Sequence, residues 1–215
     1  MIITSFLDLI LMVFLWHTRA GKTRQLVRLG KHAGMRNESA IRRSLNEAAS
    51  KGFLSVKETT LKRLSLPDAP LCRFHPDHEV PSSDEAERLS YRLIKRWNEA
   101  EVGGERIWTA GERAIEIFGG ATKGVVSAGS VSHDVLVTEL YIRLLTTDPV
   151  LAATWVGEDA SPIPPKHGQK VPDAILHAST GEPLVAMEIG GMYPPERIIG
   201  LWKDCARRGL ALEIW

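Results

Sequence analysis

The order of apolar and polar residues in the first quarter of the chain predicts three successive helices, over residues 8–17, 23–30 and 38–51. In the third helix, Ile41, Leu45 and Ala48 are spaced by four and three residues, the period of a helix that buries one face. Thr23 is the predicted N-cap of the second helix, and Gly52 is placed to end the third. A short helix, a tight turn and an amphipathic helix are the elements of a helix-turn-helix.

Two strands and a long insertion are predicted after the third helix. Residues 53–57 and 106–109 are rich in apolar and β-branched residues, so we expect them to pair as strands. The insertion between them, about 59–104, contains four prolines and a charged amphipathic helix at 83–98. A helix ending at residue 118 follows the second strand. Paired strands after a helix-turn-helix predict a winged helix-turn-helix domain.

The second half of the chain has a regular order of predicted elements: helix 133–145, strands 154–156, 171–176 and 184–190, helix 194–208 and strand 210–215. Ser132 is the predicted N-cap of the first of these helices, and Gly209 the predicted C-cap of the second. Helix, three strands, helix and strand is the αβββαβ order of a restriction-endonuclease-like domain.

The predicted fold class is therefore mixed, α+β in the first domain and α/β in the second. A winged helix-turn-helix domain is predicted over residues 1–124, with the insertion at about 59–104. A nuclease-like αβββαβ domain is predicted over residues 125–215. The stretch 119–129 is rich in Gly and Ser, which is typical of a linker between domains.

Charge is distributed unevenly along the chain. The net charge of the whole protein is +1, but twelve basic and three acidic residues between His17 and Arg63 give this stretch a net charge of +9. A local basic block on a nearly neutral protein is typical of nucleic-acid binding. A solvated surface without a ligand is the alternative interpretation.

The free face of the third helix is the candidate reading surface for double-stranded DNA. Arg42 and Arg43 are predicted to reach phosphate or guanine edges in a major groove, and Asn46 to read adenine. Other basic residues are predicted to contact the DNA backbone, which positions a protein without specifying sequence. These are Lys22, Arg24, Arg28, Arg36 and Lys57.

Two carboxylates are the candidate catalytic groups of the second half. Asp173 and Glu188 fall on neighbouring predicted strands, which lie about 5 Å apart in a sheet. Two carboxylates at that distance are able to share a Mg²⁺ ion, with Glu139 or Glu158 as additional candidates. Nucleases of this type usually place a lysine two residues after the second carboxylate, and this position is Gly190.

The lysine that a nuclease needs would have to come from elsewhere in the chain. Lys203 on the following helix is the predicted substitute, with Lys166 and Lys170 in the preceding loop as alternatives. If the site is active, Asp173 and Glu188 would hold the metal, which activates a water for attack on phosphorus. Otherwise the second domain is a scaffold without chemistry, since fold does not imply function.

Several short motifs resemble the plasmid replication-relaxation family. They are Ser132-His133-Asp134 with Tyr141, Trp155 with Glu158, Pro172-Asp173-Ala174, Glu188, and Trp108-Thr-Ala-Gly-Glu-Arg113. Proteins of that family join an N-terminal winged helix to a degenerate nuclease-like domain. The resemblance implies a role in plasmid replication or mobilisation. It covers most of the chain except about 59–104.

The expected function is sequence-specific binding of double-stranded DNA, as an accessory protein of plasmid or mobile-element mobilisation or replication. No cofactor is expected in that case. One alternative is an active Mg²⁺-dependent DNA endonuclease that uses Asp173, Glu188 and Lys203. Another is a winged-helix transcriptional regulator. The expected partners are double-stranded DNA, a relaxase or another DNA-processing protein, and a second copy of the chain.

Two other sequence features are interpreted as structural. The apolar run from Ile2 to Trp16 contains Asp8 and is shorter than the roughly 20 residues that span a bilayer, so a buried first helix in a cytoplasmic protein is expected, with membrane association as the alternative. His75 and His78 lie in a proline-rich loop without a second pair of ligands at matching spacing. We interpret this loop as polar rather than metal-binding.

Overall fold

The computed structural model of the chain describes residues 5–79, 81–119, 130–160 and 171–215. Within these ranges the fold is mixed α/β, with eight α-helices and two β-sheets. Two compact units can be distinguished. Unit 1 consists of Met1–Leu61 and Val102–Ala153, and unit 2 consists of Lys62–Glu101 and Thr154–Trp215.

The helices are α1 (Phe6–Met12), α2 (Thr23–His32), α3 (Glu38–Ser50), α4 (Ser83–Asn98), α5 (Glu112–Phe118), α6 (Val131–Thr147), α7 (Pro149–Ala152) and α8 (Pro195–Arg208). The strands are β1 (Gly21–Lys22), β2 (Leu54–Lys62), β3 (Cys72–Phe74), β4 (Val102–Ala110), β5 (Trp155–Gly157), β6 (Ala174–His177), β7 (Pro183–Glu188) and β8 (Ala211–Ile214). A π-helical turn, Val13–His17, continues α1, and a 3₁₀ turn, Glu158–Ala160, follows β5. None of the helices in the described ranges is long and apolar enough to cross a membrane.

Unit 1 contains a three-stranded sheet in the order β1-β4-β2, with β1 antiparallel to β4. The predicted strand pair after α3 is present and longer than expected, since β2 and β4 each contain nine residues. Gly111 joins β4 to α5 and donates its backbone N–H to the carbonyl of Phe53. A Cβ at this position would lie 2.2 Å from the carbonyl oxygen of Gly52, so only glycine allows the two segments to meet this closely.

Two predicted helix caps differ in the structure. The Thr23 hydroxyl accepts a hydrogen bond from the indole N–H of Trp108, and the side chain of Gln25 instead accepts from the backbone N–H of Lys22. Helix α6 begins at Val131 with Ser130 as its N-cap residue, so Ser132 lies inside the helix. In the first case, a tertiary contact engages the side chain that local sequence favours as a cap.

Unit 2 contains a five-stranded sheet in the order β3-β8-β7-β6-β5. Strands β5, β6 and β7 are antiparallel neighbours, β8 is parallel to β7, and β3 is antiparallel to β8. Helices α4 and α8 contribute to one buried cluster with this sheet. Among its members are Leu89 and Leu93 from α4, Trp202 and Cys205 from α8, and Leu212 from β8.

This division of the chain differs from the predicted boundary near residue 125. Helix α6, expected as the first helix of the nuclease-like domain, belongs to unit 1, where Thr138 donates to the carbonyl of Ala20 and Gln25 donates to the carbonyl of Val135. Most of the expected insertion belongs to unit 2 and supplies β3 and α4. The predicted linker at 120–129 and the loop at 161–170 lie outside the described residues.

Candidate functional site

Helix α3 has a well-defined start and a buried inner face. The side-chain oxygen of Asn37 accepts hydrogen bonds from the backbone N–H groups of Ser39 and Ala40, at 2.8 and 3.3 Å. The inner face carries the predicted apolar residues Ile41, Leu45 and Ala48, all buried. This inner face fixes which side chains of α3 point to solvent.

Close packing of α2 on α3 depends on a glycine that the sequence pattern does not single out. A Cβ at Gly30 would lie 2.7 Å from Cδ1 of Ile41, closer than side chains pack. The absence of a side chain at Gly30 therefore lets α3 approach α2 through the Ile41 side chain. The two helices of the candidate helix-turn-helix are held together by this contact.

The candidate DNA-binding residues on α3 are exposed. The guanidinium of Arg42 bonds Glu38 one turn earlier, with Nε at 2.9 Å and Nη2 at 2.7 Å from the same carboxylate oxygen. Arg43 and Asn46 are also exposed. Within the part of the chain that the structure describes, no hydrogen bond or ion pair engages the side chains of Arg43 and Asn46.

The other predicted DNA-contacting residues of unit 1 fall into two groups. Arg24, Arg36 and Lys57 are exposed, as a phosphate contact requires. The Lys22 side chain is 2% exposed, so the prediction that it contacts a phosphate does not agree with its position in the fold. Lys22 lies in β1, which pairs with β4 in the sheet of unit 1.

Arg28, a predicted phosphate contact, forms an ion pair with Glu139 of α6. Burial is the largest effect on the Glu139 carboxyl and raises its pKa. Hydrogen bonds from Arg28 and Gln25 outweigh burial and hold the pKa below its ordinary value of 4.5. Glu139 is therefore engaged within unit 1, and this contact occupies Arg28.

The two predicted catalytic carboxylates of unit 2 are neighbours in the sheet. Ala174 of β6 pairs with Met187 of β7, so Asp173, just before β6, faces Glu188 at the end of β7. The side-chain oxygen of Asp173 accepts a hydrogen bond from the backbone N–H of Ile189 at 2.7 Å. The backbone carbonyl of Asp173 accepts from the N–H of Glu158 at 2.9 Å. Glu188 at the end of β7 therefore lies level with two acidic residues just outside β5 and β6, Glu158 and Asp173.

Glu188 is buried and hydrogen-bonded within unit 2. Its side chain is 4% exposed, and one carboxylate oxygen accepts a hydrogen bond of 2.6 Å from the Tyr193 hydroxyl. A guanidinium nitrogen of Arg197 lies 3.9 Å from the same oxygen, and the guanidinium stacks over the Tyr193 ring at 4.0 Å. Burial raises the pKa of Tyr193, and the nearby charges of Glu188 and Asp173 raise it further.

Gly190 is enclosed by side chains from α4 and β8. A Cβ at this position would lie 2.4 Å from Cδ2 of Leu93 and 3.1 Å from Cγ2 of Ile214. The indole N–H of Trp97 also donates to the Gly190 carbonyl at 2.6 Å. The space that a lysine at position 190 would need is therefore occupied by α4.

The predicted replacement lysine is not the base next to the carboxylates. Lys203 lies on the exposed side of α8, whereas Arg197, two residues into the same helix, contacts Glu188. Lys166 and Lys170 lie outside the described residues. The basic group at Glu188 is therefore an arginine, which stays protonated and is unsuited to act as a base.

The surroundings of the carboxylate pair depart from the nuclease pattern in two ways. Glu188 is almost fully buried and bonded to Tyr193, and the lysine position is closed by Leu93. In residues 5–79, 81–119, 130–160 and 171–215, no cluster of three or more His, Cys, Asp or Glu side chains is arranged to hold a metal ion. The contact of Asp173 joins the start of β6 to the residue after β7, and the contacts of Glu188 join the end of β7 to Tyr193 and the first turn of α8.

Sequence reasoning missed Tyr193 and Arg197. Both precede or begin a predicted helix that follows the strand with Glu188, and they are four residues apart. Tyr193 lies before the first residue of α8 and Arg197 lies in its first turn, so their spacing is not a helical one. The only available signal was that both residues follow the Glu188 strand closely along the chain.

Comparison with known proteins identifies no relative of this chain. No family model, curated protein or solved structure matches the chain. The functional argument therefore rests on the two places where the chain collects polar side chains. These are the exposed face of α3 in unit 1 and the carboxylate pair in unit 2.

Proposed function

We propose that this protein binds double-stranded DNA in a sequence-specific manner through α3, and that unit 2 is a nuclease-like scaffold without cleavage activity. The observation that carries the proposal is the outer face of α3, where Arg42, Arg43 and Asn46 are exposed beside one another. Arginine and asparagine are the side chains that pair best with guanine and adenine edges in the major groove.

The element order supports assigning unit 1 to the winged-helix class. Helices α1, α2 and α3 precede the strand pair β2 and β4, and short β1 completes the sheet in the order β1-β4-β2. In helix-turn-helix proteins, the second helix of the motif enters the major groove, and its N-terminal residues contact bases. Helix α3 has this place in unit 1.

Charge supports the same assignment. The stretch from His17 to Arg63 has a net charge of +9, and its exposed basic residues include Arg24, Lys31 and Arg36. Basic side chains that neutralise phosphates supply most of the non-specific affinity of a DNA-binding protein and make it depend on salt. We therefore expect binding to weaken steeply as the salt concentration rises.

The order of elements in unit 2 supports a nuclease-like assignment for β5, β6, β7, α8 and β8. Strands β5–β7 form an antiparallel meander, and α8 leads to β8, which is parallel to β7. The burial of Glu188 and the closure around Gly190 support the scaffold role over the endonuclease alternative. No step of DNA cleavage is assigned to Asp173, Glu188 or Lys203.

The motif resemblance supports, as part of this proposal, a role in plasmid or mobile-element replication or mobilisation. A relaxase or another DNA-processing protein is the partner that this setting implies, and a homodimer would fit a symmetric DNA site. A transcriptional regulator is the alternative with the same DNA-binding residues. The plasmid role and the transcriptional role differ in genomic setting and in which proteins bind to the protein–DNA complex.

The proposal is tested with the full chain, supercoiled plasmid and either Mg²⁺ or Mn²⁺, next to the Asp173→Ala variant. We expect both proteins to retard the DNA equally and neither to nick it. Metal-dependent nicking that disappears in Asp173→Ala would support the endonuclease alternative. Failure of the wild type to bind DNA at low salt would contradict the proposal.

A further inference from the structure

We infer that α3 reads base edges through one outward ridge, formed by Ser39, Arg43, Asn46 and Ser50, and that Arg43 rather than Arg42 is the specificity-determining cation. This inference rests on the proposed DNA-binding function and assigns different roles to the two neighbouring arginines. The name outward ridge is used below for these four residues.

The ridge follows from the helical period. Its members are spaced by four, three and four residues, so they form one row along the helix. At about 100° per residue, this row lies roughly opposite the buried face made by Ile41, Leu45 and Ala48. A ridge opposite the buried face projects furthest from unit 1 and would reach deepest into a groove.

Arg42 lies on the flank of α3. It is about a quarter turn from the buried face, and its guanidinium bonds the Glu38 carboxylate. Glu38 is at the first turn of the helix, where its charge is also favoured by the helix dipole. Arg42 is therefore oriented along the helix side, where a DNA phosphate would pass rather than a base edge.

Arg43 and Asn46 have the chemistry and the freedom that base reading requires. They are exposed and neighbours on the ridge, three residues apart. A guanidinium donates two hydrogen bonds to O6 and N7 of guanine, and a carboxamide pairs with N6 and N7 of adenine. Side chains on neighbouring turns address nearby base pairs, so we expect a guanine and an adenine close together in the preferred site.

The two serines at the ends of the ridge permit close approach. Ser39 is at the second position of α3, where recognition helices commonly meet bases. The Ser50 hydroxyl donates to the carbonyl of Glu47 at 2.8 Å, so its hydrogen-bonding capacity is partly satisfied within the helix. Small side chains at both ends allow the long Arg43 side chain to set the depth of contact.

The test is selection of preferred sequences from a pool of randomised duplexes, carried out with the wild-type full chain and with Arg42→Ala, Arg43→Ala and Arg43→Lys. Each protein is also titrated with the sequence that the wild type enriches and with a version changed at the enriched guanine. The salt dependence of affinity is measured for each pair. Thermal unfolding of each variant checks that the fold is intact.

We expect Arg43→Ala to lose about tenfold or more of the discrimination at one guanine. Arg43→Lys should lose most of the same discrimination, because an ammonium lacks the planar fork, while keeping the salt dependence of the wild type. Arg42→Ala should weaken binding to all sequences equally, keep the enriched motif and lower the slope of log affinity against log salt by about one.

The opposite pattern would overturn the inference without affecting the proposed function. If the wild type enriches a motif, and Arg43→Ala keeps that motif while Arg42→Ala loses it, then α3 binds DNA but Arg42 is the reading residue. If the wild type binds the pool without enriching any sequence, the ridge does not read bases, and the sequence specificity in the proposed function fails with it. If the wild type does not bind the pool at all, the proposed function fails as well.

Discussion

The outer face of α3 and the carboxylate pair of unit 2 are both groups of polar side chains on or beside regular elements, but they differ in exposure to solvent. Arg43 and Asn46 on α3 are exposed, whereas Glu188 on β7 is buried against Tyr193 and next to Arg197. The exposed groups of α3 are available to a ligand, whereas Glu188 is already bonded to Tyr193 within unit 2. The difference separates two sites that are equally prominent in the sequence.

The cause of this difference lies in what covers each element. Helix α3 buries only its inner row of apolar residues within unit 1. Gly190 lies two residues after the end of β7, and Leu93 and Trp97 of α4 enclose it. A long segment that the sequence pattern treats as an insertion therefore determines whether position 190 has room for a side chain.

The largest effect is expected from Gly190→Lys. A side chain at this position meets Leu93 at 2.4 Å, and a buried ammonium is costly as well. We expect the free energy of unfolding to fall by at least about 3 kcal/mol, with no gain of DNA cleavage, as measured by chemical denaturation and a plasmid nicking assay.

Gly200→Ala is the matched control for this substitution. Gly200 is inside α8, and beyond its neighbouring helix backbone no atom lies within 4 Å of a Cβ built there. Because alanine favours helix more than glycine does, stability should rise by about 0.5–1 kcal/mol. A stable Gly190→Lys protein that nicks DNA with Mg²⁺ would contradict this expectation, because it would show that a lysine at position 190 is sufficient to restore nuclease activity.

A smaller loss is expected from Tyr193→Phe, which removes the 2.6 Å hydrogen bond to Glu188 in a buried place. Hydrogen bonds to charged groups contribute about 1.5–3 kcal/mol, and the free energy of unfolding should fall by about 2 kcal/mol. Combining this change with Glu188→Ala in a double-mutant cycle measures the coupling between the two side chains, because alanine, unlike glutamine, has no oxygen to accept the hydrogen bond. Additive effects of the two substitutions would contradict a shared hydrogen bond.

Glu139→Gln should produce a pH-dependent loss of about 1 kcal/mol in unit 1. The Arg28 and Gln25 hydrogen bonds hold the pKa of Glu139 below its ordinary value, so its ionised form stabilises the folded protein. That stabilisation is complete above the unfolded pKa, near 4.5, and disappears as the pH falls through the lower folded pKa. Wild type and variant should therefore differ at pH 7 and converge in acid; a constant difference would exclude the ionised carboxylate as the cause.

The smallest effect is expected from Asp173→Asn. The amide oxygen of asparagine is able to accept the hydrogen bond that the Ile189 N–H donates to Asp173. Stability should change by less than about 1 kcal/mol, and DNA affinity should not change. A large loss of DNA affinity in this variant would place Asp173 in the binding surface.

Local patterns predicted most elements of this fold. Helix α4 was expected at 83–98 and occupies Ser83–Asn98, and α8 ends at Arg208 with Gly209 in the left-handed conformation as its cap. Strand β3 was not predicted, because it contains three residues between prolines and pairs with β8 at the far end of the chain. Pairing over such a separation leaves no local signal.

Long-range packing also explains what the sequence left open at the candidate site. The hairpin between β6 and β7 made the proximity of Asp173 and Glu188 predictable, and Gly190 was visible as a departure from the nuclease pattern. The contact of Leu93 with Gly190 joins residues almost a hundred positions apart, so the reason for that glycine was not readable. For the same reason the sequence did not reveal that α6 belongs to unit 1, since an apolar helix face does not indicate which element it packs against.

The most direct test of the account is the affinity of the full chain for a short duplex, measured by fluorescence anisotropy for two double variants. Arg42→Ala with Arg43→Ala removes two exposed charges from α3, and Arg88→Ala with Lys95→Ala removes two exposed charges from α4. We predict a loss of about a hundredfold or more for the α3 variant and little change for the α4 variant. Equal losses in the two variants, or a larger loss in the α4 variant, would contradict the assignment of DNA binding to α3.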